Sequence, residues 1–183
     1  MASGRSNKLI GQVGEFLVCA ELGRRGLIAT PFSGNVPGYD VIATNERCRS
    51  IPIQVKTNNG SKSWQFSAHK YLRIEIDPKT KVQSIHGCQP DIFPDDLIFV
   101  FVRLARRNRI DREDDRYFIL EWQELREVMV NHYRRNLKKH GGVRPKNPES
   151  THMALFLPEL APFEERWEVI EARLAIRPPT RPR

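Results

Sequence analysis

Residues 51–57 read Ile51-Pro52-Ile53-Gln54-Val55-Lys56-Thr57. Side chains along a strand alternate between its two faces, so Ile53 and Val55 project one way and Gln54 and Lys56 the other. The run is rich in β-branched residues and follows the polar stretch 45–50, which makes it a strand. An amide and an ammonium sharing one face of an otherwise apolar strand need partners, because polar groups taken out of water are costly alone.

Working outward, Leu27 to Phe32 and Tyr39 to Thr44 read as two earlier strands, split by a loop of Ser33, Gly34, Asn35, Pro37 and Gly38, so that three strands form a meander. Ahead of them, Lys8 to Arg25 carries Leu9, Val13, Phe16, Leu17 and Ala20 at three- and four-residue intervals, the main apolar stripe of a helix. Asn7 or Ser6 can cap its start, and Gly26 after Arg24 and Arg25 stops it. Downstream, Trp64 to His69 is an edge strand or a bridge, and Asp77 to Pro94 a long connection. The nearly continuous apolar run from Asp96 to Val102 reads as a central strand covered on both faces. A charged segment from Arg103 to Arg116 leads to a partner strand, Tyr117 to Leu120. A helix from Glu121 to Lys139 carries Trp122, Leu125, Val128, Met129, His132 and Tyr133 along one side. After Met153 to Leu157 comes an amphipathic helix over about Pro162 to Leu174.

The chain of 183 residues has 28% charged and 39% hydrophobic residues, a globular composition. We expect one domain over 1–177, followed by a disordered Pro/Arg tail over 178–183. Thirty Lys and Arg against 22 Asp and Glu leave a net charge of +8, which favours a polyanionic partner. Cys19, Cys48 and Cys88 lack the spacing of a zinc site or a disulfide framework and fit a reducing cytoplasm. A nucleophilic role for Cys19 lacks a base nearby in sequence. No stretch is long and apolar enough to span a bilayer, and no apolar signal core opens the chain, so we expect neither membrane insertion nor export.

If the second and third strands are adjacent and antiparallel, Asp40 sits opposite Gln54 and Lys56, and a cation would offset the cost of desolvating it. The first helix offers a second carboxylate, Glu15, which lies off the main apolar stripe among Gly11, Val18, Cys19 and Leu22. Gly11-x-x-Gly14-Glu15 on a helix, Gly38-Tyr39-Asp40 on a strand and Ile53-Gln54-Val55-Lys56-Thr57 on the next resemble the PD-(D/E)XK, or restriction-endonuclease-like, superfamily. Within it the pattern is similar to archaeal Holliday-junction resolvases and Mrr-type restriction enzymes. The resemblance covers about the first sixty residues and departs from the usual motif at Gln54, where Asp or Glu is the rule. Superfamily members with this QxK variant carry a glutamate on the first helix, the position of Glu15.

The resemblance implies an α/β fold with an αβββαβ core, its central mixed sheet flanked by helices. It implies a Mg²⁺-dependent nuclease, with Mn²⁺ as a substitute, acting on nucleic acid and more on DNA than RNA. Glu15, Asp40, the Gln54 side chain and the Val55 carbonyl would then hold the metal, and Lys56 would orient or deprotonate the attacking water. The products would be a 5′-phosphate and a 3′-hydroxyl, and a homodimer is one candidate assembly.

Ser33 and Asn35 are candidate phosphate contacts from a glycine-bearing loop. Arg134, Arg135, Lys138 and Lys139, with Arg144 and Lys146 beyond, form the densest basic stretch and a candidate phosphate-backbone zone. Trp64 and Phe66 are read as core residues rather than base-stacking platforms. The five histidines lack ligand spacing and are read as surface or packing residues. Two rivals stay open: a catalytically silent nucleic-acid-binding protein of the same fold, and a regulatory module whose basic face meets an acidic protein.

Overall fold

The computed structural model describes residues 4–32, 38–90, 92–105 and 114–175. Helix α1 (Gly4–Arg24) leads into β1 (Ile28–Pro31), β2 (Val41–Thr44), β3 (Ser50–Asn58) and β4 (Ser63–Ser67). A single 3-10 turn, Ala68–Lys70, precedes β5 (Leu72–Ile76) and β6 (Gln83–Cys88). Then come β7 (Ile98–Arg103), β8 (Arg116–Glu121), α2 (Trp122–Lys139), β9 (His152–Phe156), α3 (Leu157–Leu160), a 3-10 turn at Ala161–Phe163 and α4 (Glu168–Ala175).

Five strands form a mixed sheet in the order β1-β2-β3-β7-β8. β1, β2 and β3 are the antiparallel meander, β3 and β7 run parallel, and β7 and β8 are antiparallel. The run at 98–103 is the central strand its composition calls for, and its alternation divides the core. Ile98, Val100 and Val102 pack with Val18 and Leu22 of α1 and Ile170 and Leu174 of α4. Phe99 and Phe101 pack on the other face with Leu125, Met129 and Tyr133 of α2 and with Trp64 and Phe66 of β4. The sheet is therefore a layer between helices, with β4 and β9 paired as a small ribbon on the α2 side.

Several expectations change. The apolar stripe of a surface helix normally faces the core, yet in α1 Phe16 is 62% exposed and Leu9 57%, with Val13 and Ala20 also exposed. The buried face is instead Gly14, Val18 and Leu22. Gly14 decides this, because a Cβ there would stand 1.8 Å from Thr57 Oγ1, so the helix meets β3 at that residue. α1 also begins at Gly4, so Ser6 and Asn7 lie inside it rather than capping it. Its end is as read: Gly26, at φ 77°, donates to the Gly23 carbonyl, and Leu27 N–H bonds Leu22 O, a glycine-terminated Schellman closure.

The stretch 77–94 is not simply a connection, since it holds the turn and the second strand, β6, of an antiparallel hairpin with β5. Asp77 builds its turn by accepting at Oδ1 from the N–H groups of Lys79 and Thr80. The crossover from β3 to β7 thus runs through β4, a 3-10 turn and this hairpin, where an αβββαβ order has a helix. The segment 162–174 is no continuous helix: Glu165 takes φ 55°, and only Glu168–Ala175 is α-helical. The Pro/Arg tail lies outside the described residues. Among the described residues no helix is long and apolar enough to cross a membrane.

Candidate active site

β2 and β3 bring the first pair together. Val41 pairs with Ile53, so Asp40, one residue before β2 rather than within it, comes opposite Gln54. Its backbone extends the ladder, with Asp40 N–H bonded to Ile53 O at 2.9 Å and Phe32 N–H to Asp40 O at 2.9 Å. The carboxylate turns onto β3: Oδ2 accepts from Val55 N–H at 2.8 Å and from the Gln54 amide nitrogen. Burial pushes the Asp40 carboxyl above its ordinary range, while the Val55 N–H, the Lys56 charge and Gln54 pull it back.

Lys56 follows on the Gln54 face. Burial holds its ammonium below the usual lysine range, Asp40 counteracts this, and the like charge of Lys70 adds to it. Its backbone is fixed from the other side of the strand connection, since Trp64 Nε1–H donates to the Lys56 carbonyl at 2.8 Å. Glu15 reaches the same end of β3 because Gly14 seats α1 against Thr57. Burial and then the negative charge of Asp40 raise its carboxyl, which places the two carboxylates within electrostatic reach of each other. Cys19, one turn on, has its thiol pushed up to about 11 by burial and by Glu15, so it is not a thiolate at neutral pH.

The structure adds two residues that the motif does not contain. Tyr71 packs against Phe66 and Phe93, with ring centroids 5.6 and 6.0 Å away, and its phenol is raised by burial and by the charge of Asp40. Lys70, from the preceding 3-10 turn, is the cation whose charge reaches Lys56. Nothing in the spacing marks either one, because they are brought in by the 3-10 turn Ala68–Lys70 that follows β4 and ends at Tyr71.

Ser33 and Asn35 are outside the described residues. Arg134, Arg135, Lys138 and Lys139 are exposed on α2, where Arg134 lines a pocket with Gly87, Cys88 and Gln123, and Arg135 is committed to Glu159 at 2.5 Å. Trp64 and Phe66 are buried core residues. Among the described residues, no three His, Cys, Asp or Glu side chains gather where one metal ion would touch them all. What gathers is two carboxylates, one amide and one lysine.

No family model and no curated protein matches the chain. Among solved structures it is similar to a bacterial homing endonuclease, I-Ssp6803I, at 13% identity and a TM-score of 0.49, over 92% of this chain and 95% of that one. At that level the likeness bears on neither activity nor substrate.

Proposed function

We propose that this protein is a Mg²⁺-dependent nuclease of the PD-(D/E)XK type, in its QxK variant, hydrolysing phosphodiester bonds of DNA. The observation that carries the reading is Asp40, bonded to Val55 N–H opposite Gln54, with Lys56 and Glu15 within its electrostatic reach. The order α1-β1-β2-β3 is the superfamily's, although the crossover to β7 lacks a helix.

The donor set suits a hard cation. Glu15 and Asp40 would hold it, joined by Gln54 and by the Val55 carbonyl, which lies on the same edge of β3 as the N–H that reaches Asp40. Two raised carboxyls near each other, against the +8 background, are the kind of cost a divalent ion offsets. When bound, Mg²⁺ supplies Lewis-acid polarisation of a phosphate oxygen and a more acidic water. Lys56, with its ammonium held low, is suited to take a proton from an attacking water or to offset charge on the phosphate. Tyr71 and Lys70 border the same face.

One observation favours a second reading. Gln54 gives its amide nitrogen to Asp40, whereas a metal requires its oxygen, so a silent nucleic-acid-binding protein of the same fold remains the rival. Labelled DNA and RNA substrates incubated with Mg²⁺ or Mn²⁺ separate the two. Lys56→Ala and Asp40→Asn should abolish cleavage with an unchanged unfolding midpoint, and full activity in both variants would overturn the mechanism.

A further inference from the structure

A groove of about 500 Å³ opens beside Lys56, between the first turns of α1 and the β3–β4 connection. Its character is unlike that of a basic surface, since among the described residues Lys56 is the one charged side chain lining it. Ile10 and the small exposed part of Trp64 and Phe66 supply apolar wall, and Asn7, Asn58 and Asn59 supply amides, while the Gln65 amide is taken up by Ser63 and His152. A surface built for phosphate alone would present Arg and Lys. Apolar wall with neutral amide groups instead matches a nucleobase, whose faces are apolar and whose edges exchange hydrogen bonds with amides.

The walls of the groove are anchored. Asn58 Nδ2–H donates to Ser63 O at 3.2 Å, Ser61 Oγ–H to the same carbonyl at 2.7 Å, and Gln65 Nε2–H to Ser63 Oγ at 2.9 Å. Asn7 and Asn59 are exposed at the rim. Lys56 lies in the lining of the groove and Asn58 two residues further along the same strand, so the groove extends roughly 7 Å from the lysine along β3. A base inside a duplex cannot enter such a groove without leaving its stack.

We infer that this groove receives an unpaired nucleobase next to the phosphate held at Asp40 and Lys56, which makes the substrate a DNA with a bulged, looped or single-stranded nucleotide at the cleavage point. The assignment rests on the nuclease reading for the position of the phosphate. Duplexes that are fully paired, carry one unpaired adenine, or carry an abasic residue at that point test it through binding by the full chain in EDTA. The base-bearing bulge should bind about tenfold tighter than the abasic one, the scale of one to two net hydrogen bonds. Asn59→Trp, which fills the groove, should erase that difference and leave affinity for the paired duplex unchanged. The double variant Asn7→Ala/Asn59→Ala, confined to the rim, should reduce the difference at least threefold.

Equal affinity for base-bearing and abasic bulges, with Mg²⁺-dependent cleavage present, would overturn the groove assignment and leave the nuclease reading intact. A base preference that Asn59→Trp removes, without cleavage of any substrate, would uphold the groove and overturn hydrolysis. Absence of binding to all three duplexes would overturn the groove assignment, and the nuclease reading would then stand or fall on cleavage with Mg²⁺.

Discussion

α1 and α2 are the two long helices, and they use their apolar residues in opposite ways. α2 buries Trp122, Leu125, Met129, Tyr133 and Leu137 against the sheet, and its sequence stripe is its packing face. α1 buries a narrower line through Gly14, Val18 and Leu22, and leaves Leu9, Val13 and Phe16 in solvent. The difference teaches that a helix can be oriented by its closest approach rather than by its largest apolar area. In α1 the close approach of Gly14 to Thr57 turns Glu15 toward Asp40. α2 serves packing, and α1 gives up packing area to present a carboxylate.

Substitutions sharpen that contrast. Leu125→Ala in α2 empties a fully buried position and should cost about 2–5 kcal/mol in chemical denaturation, with less than 1 kcal/mol breaking the view of α2 as core. Gly14→Ala should cost about 1–3 kcal/mol despite the better helix propensity of alanine, because its Cβ has no room beside Thr57. Adding Thr57→Ala should restore most of that loss, and a double variant as unstable as the single one would show that another contact sets the helix. Phe16→Ser, the smallest effect, should stay within about 0.5 kcal/mol; a loss of core size would mean that the stripe is covered in solution.

Much of the sheet was legible in local patterns. The period-two alternation of Ile98 to Val102 between two clusters follows from an unbroken apolar run, and Gly26 after two arginines stops α1 where the composition says. Asp40, Gln54 and Lys56 could be placed together because a two-strand register follows from alternation once the strands are antiparallel. The rest depended on contacts distant in sequence. Leu72, Ile74 and Ile76 alternate with polar residues, a strand signal obscured by the Pro, Asp and Lys residues that follow it. The exposed stripe of α1 cannot be distinguished from a buried one by periodicity. Lys70 and Tyr71 join the site through a turn that no motif encodes.

The parallel pairing of β3 with β7 has a temporal meaning. Ile53 meets Ile98 across a crossover that includes three strands, β4, β5 and β6, a long loop to close before the central layer exists. During synthesis the chain carries Glu15, Asp40, Gln54 and Lys56 out of the ribosome well before β7 follows. Until it does, β3 is an open edge with no partner on that side, and the carboxylates and lysine lack the buried surroundings that raise the former and depress the latter. The buried surroundings of these four side chains thus arrive late, as a property of the finished sheet rather than of the segment that bears them.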